Sequence, residues 1–208
     1  MKKIILLLLI TFIALWNVTP SYAAWLIYGK PEFKGRVIDA ETKQPIEGAV
    51  VVTLYYKWPM ISGAGGPNAY VFHAKETLTN RNGEFYMPSF SSLSLSILDA
   101  GIRFIFYKPG YLSIEGAGPK NAGISDAGIS FEKYFSTGKI GEVLEIEEGS
   151  LKNNSYVKWK GPVGIVELKK AQTRKDRIKT RPSKGGIETQ KLPIFFKNIE
   201  DEYKRLYN

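Results

Sequence analysis

Residues 48–57 read Gly48-Ala-Val-Val-Val-Thr-Leu-Tyr-Tyr-Lys57. Six of these ten are β-branched or aromatic, which suits a pleated and largely buried strand. The flanks agree. Upstream, Phe33 to Asp39 alternates, with Phe33, Gly35 and Val37 on one side and Lys34 and Arg36 on the other. Between the two runs, Ala40 to Glu47 is polar and carries Pro45, so it reads as a turn. Downstream, Trp58 to Asn68 holds two Pro and three Gly and reads as a loop. Extended character resumes over Tyr70 to Thr79. Asn82-Gly83 then predicts a hairpin into Glu84 to Met87, because both residues tolerate positive φ.

The pattern continues. Leu93, Leu95 and Ile97 alternate with Ser, and Arg103 to Tyr107 is a short strand ended by Pro109-Gly110. Glu142 to Glu147, Ser155 to Lys160 and Val163 to Leu168 complete the strand-rich region. No helical periodicity is seen before residue 168, so crossover helices for a parallel sheet are lacking. The expected fold is mainly β, an antiparallel β-sandwich over 33–168 with long loops at 58–69 and 112–140.

Three segments carry a resemblance. They are Gly35-Arg-Val-Ile-Asp39 with Pro45-Ile-Glu-Gly-Ala-Val50, then Glu76-Thr-Leu-Thr-Asn-Arg-Asn-Gly-Glu-Phe85, then Tyr107-Lys-Pro-Gly-Tyr111. Together they resemble the carboxypeptidase regulatory-like domain, a transthyretin-like, Ig-like Greek-key sandwich. The resemblance implies structural roles for these residues. Gly48-Ala49 lets the chain re-enter the sheet, Phe85 fills the core, and Tyr111 packs across the sandwich end. It implies no chemistry, since fold does not fix function.

The N-terminus points to export. Met1-Lys2-Lys3 is basic, Ile4 to Trp16 is apolar except for Thr11, and Ser21-Tyr22-Ala23 places small residues before a cut between Ala23 and Ala24. This is the layout of a signal peptide over 1–23. The thirteen-residue apolar run falls short of the about 20 that a spanning helix needs. No Cys follows the signal, so lipid anchoring through a thioether is excluded. The expectation is a periplasmic or secreted bacterial protein that is not integral to the membrane. Residues 24–32 form a lead-in.

The chain of 208 residues has one His and no Cys. Zinc sites of the Cys₄, Cys₂His₂ or His₃ type therefore cannot be built within one chain. Cys nucleophiles are excluded, and a Ser-His-Asp triad would have to use His73. His73-Ala-Lys-Glu76 forms a His-x-x-Glu string, but a strand puts positions i and i+3 on opposite faces. No catalytic residue, metal ligand or cofactor is assigned.

The net charge of +9 is unevenly placed. Residues 150–208 hold 15 basic and 6 acidic side chains, whereas 24–149 hold 12 and 14. Basicity thus belongs to a C-terminal extension, 169–208. Its arm, 169–184, carries Lys169, Lys170, Arg174 and Arg177 among eight basic residues, without interleaved aromatics. That is poor material for base stacking, and no nucleic-acid partner is expected of an exported chain. After Pro193, the spacing of Phe195, Ile199, Tyr203 and Leu206 or Tyr207 predicts a helix near 194–207. Asp201 and Glu202 are expected outside, paired with Lys204 and Arg205.

Tyr56, Trp58 and Tyr70 cluster around the 58–69 loop, where aromatics can stack on sugars. The leading expectation is a non-enzymatic structural or protein-interaction module of the bacterial envelope. An alternative is a module binding glycan or anionic polymer through Trp58 and Tyr70 or through the 169–184 arm. A hydrolase using His73 or a carboxylate pair is the third reading.

Overall fold

The computed structural model describes residues 27–59, 69–93, 98–117, 129–150, 155–182 and 191–207. The expected signal segment, most of the 58–69 loop and part of the 112–140 segment lie outside these residues.

The fold is mainly β, with two sheets face to face. In the first, β2 (Phe33–Asp39) lies between β5 (Glu84–Met87) and β11 (Ile165–Leu168). The second is antiparallel, in the order β4 (Tyr70–Leu78), β3 (Val50–Trp58), β7 (Leu98–Tyr107), β8 (Ile114–Gly116). Two ribbons flank them. β1 (Ile27–Lys30) pairs with β6 (Phe90–Leu93), and β9 (Val143–Ser150) pairs with β10 (Ser155–Pro162).

The alternation of β2 turns Phe33 and Val37 inward, as its sequence requires. They meet Val51, Tyr55, Phe85, Met87, Phe104 and Phe106 in the inter-sheet core. β3 shows no alternation because both its faces are covered. Val50, Val52 and Leu54 face outward and form a second core under Leu192, Phe195, Phe196 and Ile199. These belong to, or lead into, the C-terminal helix α3 (Pro193–Tyr207). The expected helix is present, and it covers the four-stranded sheet as a third layer.

Four expectations are corrected. Asn82-Gly83 makes no hairpin, because β4 pairs with β3 and β5 pairs with β2 in the other sheet. The turn is instead a corner between sheets. Asn80 Oδ1 accepts the N–H groups of Asn82 and Glu84, each at 2.9 Å. Gly83 sits at φ +71° while its carbonyl accepts from Val37 N–H at 2.8 Å. Second, one pair is parallel: β11 runs with β2.

Third, a short helix precedes residue 168. α1 (Phe131–Ser136) inserts Phe131, Tyr134 and Phe135 into the inter-sheet core. Its i, i+3, i+4 pattern spans less than two turns, too short to register as periodicity. Fourth, Glu202 is buried and Tyr203 is exposed, the reverse of the expected helix face. A second short helix, α2 (Arg174–Lys179), lies within the basic arm.

Candidate functional site

The basic arm is held against the sandwich. Leu112 N–H donates to the Lys169 carbonyl at 2.8 Å, and Ala171 N–H donates to the Gly110 carbonyl at 3.0 Å. Lys170 lies 3.5 Å from the buried carboxylate of Asp39. That carboxylate also accepts from the backbone N–H groups of Glu41 and Thr42 and from the Tyr111 hydroxyl. These donors, led by the Thr42 N–H, hold the Asp39 carboxyl at about 2, well below the usual range. Tyr111 therefore ties the Gly110-Tyr111 element to both β2 and the arm.

α2 starts with a capping box. Thr173 Oγ1 accepts from Asp176 N–H at 3.1 Å, and Asp176 Oδ2 accepts from Thr173 N–H at 3.1 Å. The start of α3 is capped from the sheet. The two oxygens of Glu76 on β4 accept the Ile194 and Phe195 N–H groups, each at 2.8 Å. A carboxylate there satisfies two orphan donors and complements the helix dipole. The Glu of the His-x-x-Glu string thus docks a helix.

With both helices fixed, α2 and α3 share an outer face. Tyr203 and Tyr207, one turn apart, stack with ring centroids 4.4 Å apart. They are 46% and 49% exposed. The Arg174 guanidinium lies 5.4 Å from the Tyr207 ring, and that of Arg181 lies 5.5 Å from the Tyr203 ring. Two stacked rings flanked by two cations form one platform. Arg177 turns inward, with Nε 3.6 Å from Glu202 Oε1. Burial first, then the Glu202 charge, pushes the neighbouring Tyr107 hydroxyl up. Lys204 pairs with Glu200 at 3.1 Å. Lys169, Lys175 and Lys179 point to solvent.

Sequence reasoning identified Lys169, Lys170, Arg174 and Arg177, but found no aromatics among them. Tyr203 and Tyr207 come from the next helix, about thirty positions along the chain. Arg181 was not singled out either.

The other aromatic group does not converge. Tyr56 packs on the second core, with the Arg103 guanidinium 5.2 Å from its ring. Tyr70 pairs across strands with Lys57, so it shares the face of Lys57. Strand alternation puts half-buried Trp58 on the face of Tyr56 instead. Trp58 and Tyr70 therefore form no common platform.

His73 lies flat on Phe90, with centroids 4.2 Å apart and planes 5° from parallel. Burial, then the charges of Lys75 and Lys191, push its pKa down, so the ring is neutral at neutral pH. Nearby, Lys57 is fully buried. Among the described residues its Nζ has no hydrogen-bond partner, and it lies 3.4 Å from the Phe72 centroid and 4.4 Å from that of Tyr28. Burial pushes this amine down.

Family models, curated proteins and solved structures give no match to this chain. Among the described residues, no group of three or more His, Cys, Asp or Glu could hold a metal ion. No described helix is long and apolar enough to cross a membrane.

Proposed function

We propose that this chain is a non-enzymatic interaction module of the bacterial envelope, exported by its N-terminal signal, whose α2–α3 face binds an anionic glycan or related polymer. The observation that carries this reading is the exposed Tyr203–Tyr207 stack between Arg174 and Arg181. The exposed rims of the stacked rings offer an amphipathic edge against which a sugar can pack, while guanidinium groups take carboxylate, phosphate or sulfate oxygens in bidentate fashion. The surrounding lysines extend the same positive field, which concentrates an anionic polymer at the face.

The platform rests on a sandwich in the style of the carboxypeptidase regulatory-like domain. Support comes from where its three motif segments fall. They supply the β2–β3 connection with Gly48 at φ +65°, the inter-sheet corner at Gly83, and the Tyr111–Asp39 tie that anchors the arm.

A protein partner is the second reading, favoured by a different surface. A groove of about 480 Å³ opens along β4 and β5, lined by Leu78, Phe85, Tyr86 and Ile140. Both strands are sheet edges, and edges can accept an added strand.

Calorimetric titration of the full mature chain with a carboxylated or sulfated polysaccharide tests the first reading. Binding that weakens steeply as salt rises, with no binding to neutral dextran, is expected. Equal binding to neutral dextran, or no binding at low salt, would overturn it.

A further inference from the structure

α2 is held on the sandwich without an apolar anchor. None of its six residues is buried, and Ile178, its one aliphatic side chain, is 40% exposed. So short a helix does not persist in water by itself, so contacts from outside must hold it. Those contacts are polar. The lead into the helix is pinned by the backbone bonds of Lys169 and Ala171 and by the Lys170–Asp39 pair. Its exit is pinned by the Ser113 hydroxyl, which donates to the Thr180 carbonyl. These ties fix where the segment starts and stops, but not which side it turns to α3.

Among the described residues, Arg177–Glu202 is the ion pair that joins the two helices, and the Glu202 side chain is only 6% exposed. Arg177 reaches inward over a bare backbone: a Cβ at Gly110 would stand 3.4 Å from its Nη2. The neighbouring Tyr107 hydroxyl, buried on β7, makes no hydrogen bond among the described residues, so Arg177 is the group that answers the Glu202 carboxylate. Burying a carboxylate costs free energy, and an apolar residue in its place often does as well or better. The best-attested use of a buried pair is to fix registry.

The spacing fits that use. Around the α3 axis, Tyr203 lies about 100° and Tyr207 about 140° from Glu202, both on one flank. Along the arm, Arg174 stands three positions before Arg177, and Arg181 four positions after it. With Arg177 seated on Glu202, Arg174 comes to Tyr207 at 5.4 Å and Arg181 to Tyr203 at 5.5 Å.

We propose that Glu202 is the positioning residue of the platform: through Arg177 it holds α2 in the register that lays Arg174 on Tyr207 and Arg181 on Tyr203. Glu202 itself touches no ligand, and Arg177 is occupied by Glu202 rather than by polymer. Without the pair, α2 keeps its charges and loses their placement. The consequence for affinity rests on the polymer-binding reading; the register itself does not.

Limited trypsin digestion of the full mature chain, followed by mass spectrometry, reads the register without ligand. Glu202→Gln should speed cleavage after Lys175 and Lys179 several-fold, with the sandwich still intact. The double variant Arg177→Met/Glu202→Gln separates position from stability. It leaves no uncompensated charge, so its urea midpoint should stay near that of wild type while the fast cleavage persists. Wild-type cleavage rates in either variant, or fast cleavage throughout the chain, would overturn the proposal. Affinity for alginate gives a second readout. Arg174→Ala should weaken binding about tenfold in the wild-type background. In the double-variant background it should cost less than about twofold, because Arg174 is no longer placed. A tenfold effect preserved there would overturn the positioning role, since a merely structural Glu202 would leave it intact. Wild type that binds no alginate would overturn the polymer reading and leave cleavage to decide the register.

Discussion

Replacing the buried Lys57 by Met should stabilise the protein. The side chain is fully buried, and its amine makes no hydrogen bond among the described residues. A buried donor left without a partner costs about 1–3 kcal/mol, and more when charged. The Phe72 and Tyr28 rings, at 3.4 and 4.4 Å from Nζ, return roughly 2 kcal/mol of cation–π attraction. Methionine keeps the length and apolar stem, and its sulfur gains about 0.3–1.5 kcal/mol against the rings. The net expectation at pH 7 is a gain of roughly 0–2.5 kcal/mol, in the direction seen when buried ions give way to apolar residues. Urea unfolding of both proteins measures it.

The pH dependence carries the sign. Burial holds the Lys57 amine below its ordinary 10.5. Between its folded value and 10.5, the unfolded state binds more protons, so wild-type stability rises with pH in that window. Below the window the penalty is complete. The advantage of Lys57→Met should therefore be largest at neutral pH and shrink as pH approaches 10.5. A loss of more than about 1 kcal/mol at pH 7, or a difference that ignores pH, would refute the reasoning, because it would mean the amine is well satisfied in the fold.

Three further outcomes are expected. Phe195→Ala removes a fully buried ring between α3 and the four-stranded sheet, and should cost about 3–5 kcal/mol in chemical unfolding. Gly83→Ala forces a Cβ into contact with the Val37 carbonyl oxygen at positive φ, and should lower stability by more than the about 1 kcal/mol of an ordinary glycine substitution. Asp39→Asn should destabilise at neutral pH but matter little in strong acid. The wild-type carboxyl is held at about 2 against an ordinary 3.8, so its contribution is complete above 3.8 and lost as pH falls through about 2. Acid unfolding followed by circular dichroism should show the two proteins converging in that window.

Much of the sandwich was legible because β-branched and aromatic runs between turn residues leave little alternative. Where reading failed, long-range pairing decided. Asn82-Gly83 marks a tight turn locally, but whether its strands pair depends on β2 and β3, which lie far away in sequence. α3 was legible as a helix, yet its face was misplaced. Steps of four residues overshoot a turn by about 40°, so Tyr203 has drifted roughly 80° from Phe195, whereas Glu202 returns to within about 20° of it. Glu202 is consequently buried, where Arg177 from α2 neutralises it. The same drift carries Tyr203 outward beside Tyr207. The platform was therefore hidden: its cations were read from one segment, and its aromatics only as part of the apolar spacing of another.

If the proposed reading holds, this platform binds anionic polymer as a unit. The most direct measurement is the affinity of the mature chain for a carboxylated polysaccharide at fixed low salt, in wild type and in Arg174→Ala, Tyr207→Ala and Arg81→Ala. Arg81 is an exposed cation at the inter-sheet corner and serves as the control. Arg174→Ala and Tyr207→Ala are each expected to weaken binding by about tenfold, the equivalent of about 1.4 kcal/mol, while Arg81→Ala leaves it unchanged. Equal small losses in all three would contradict it, because binding would then follow net charge alone.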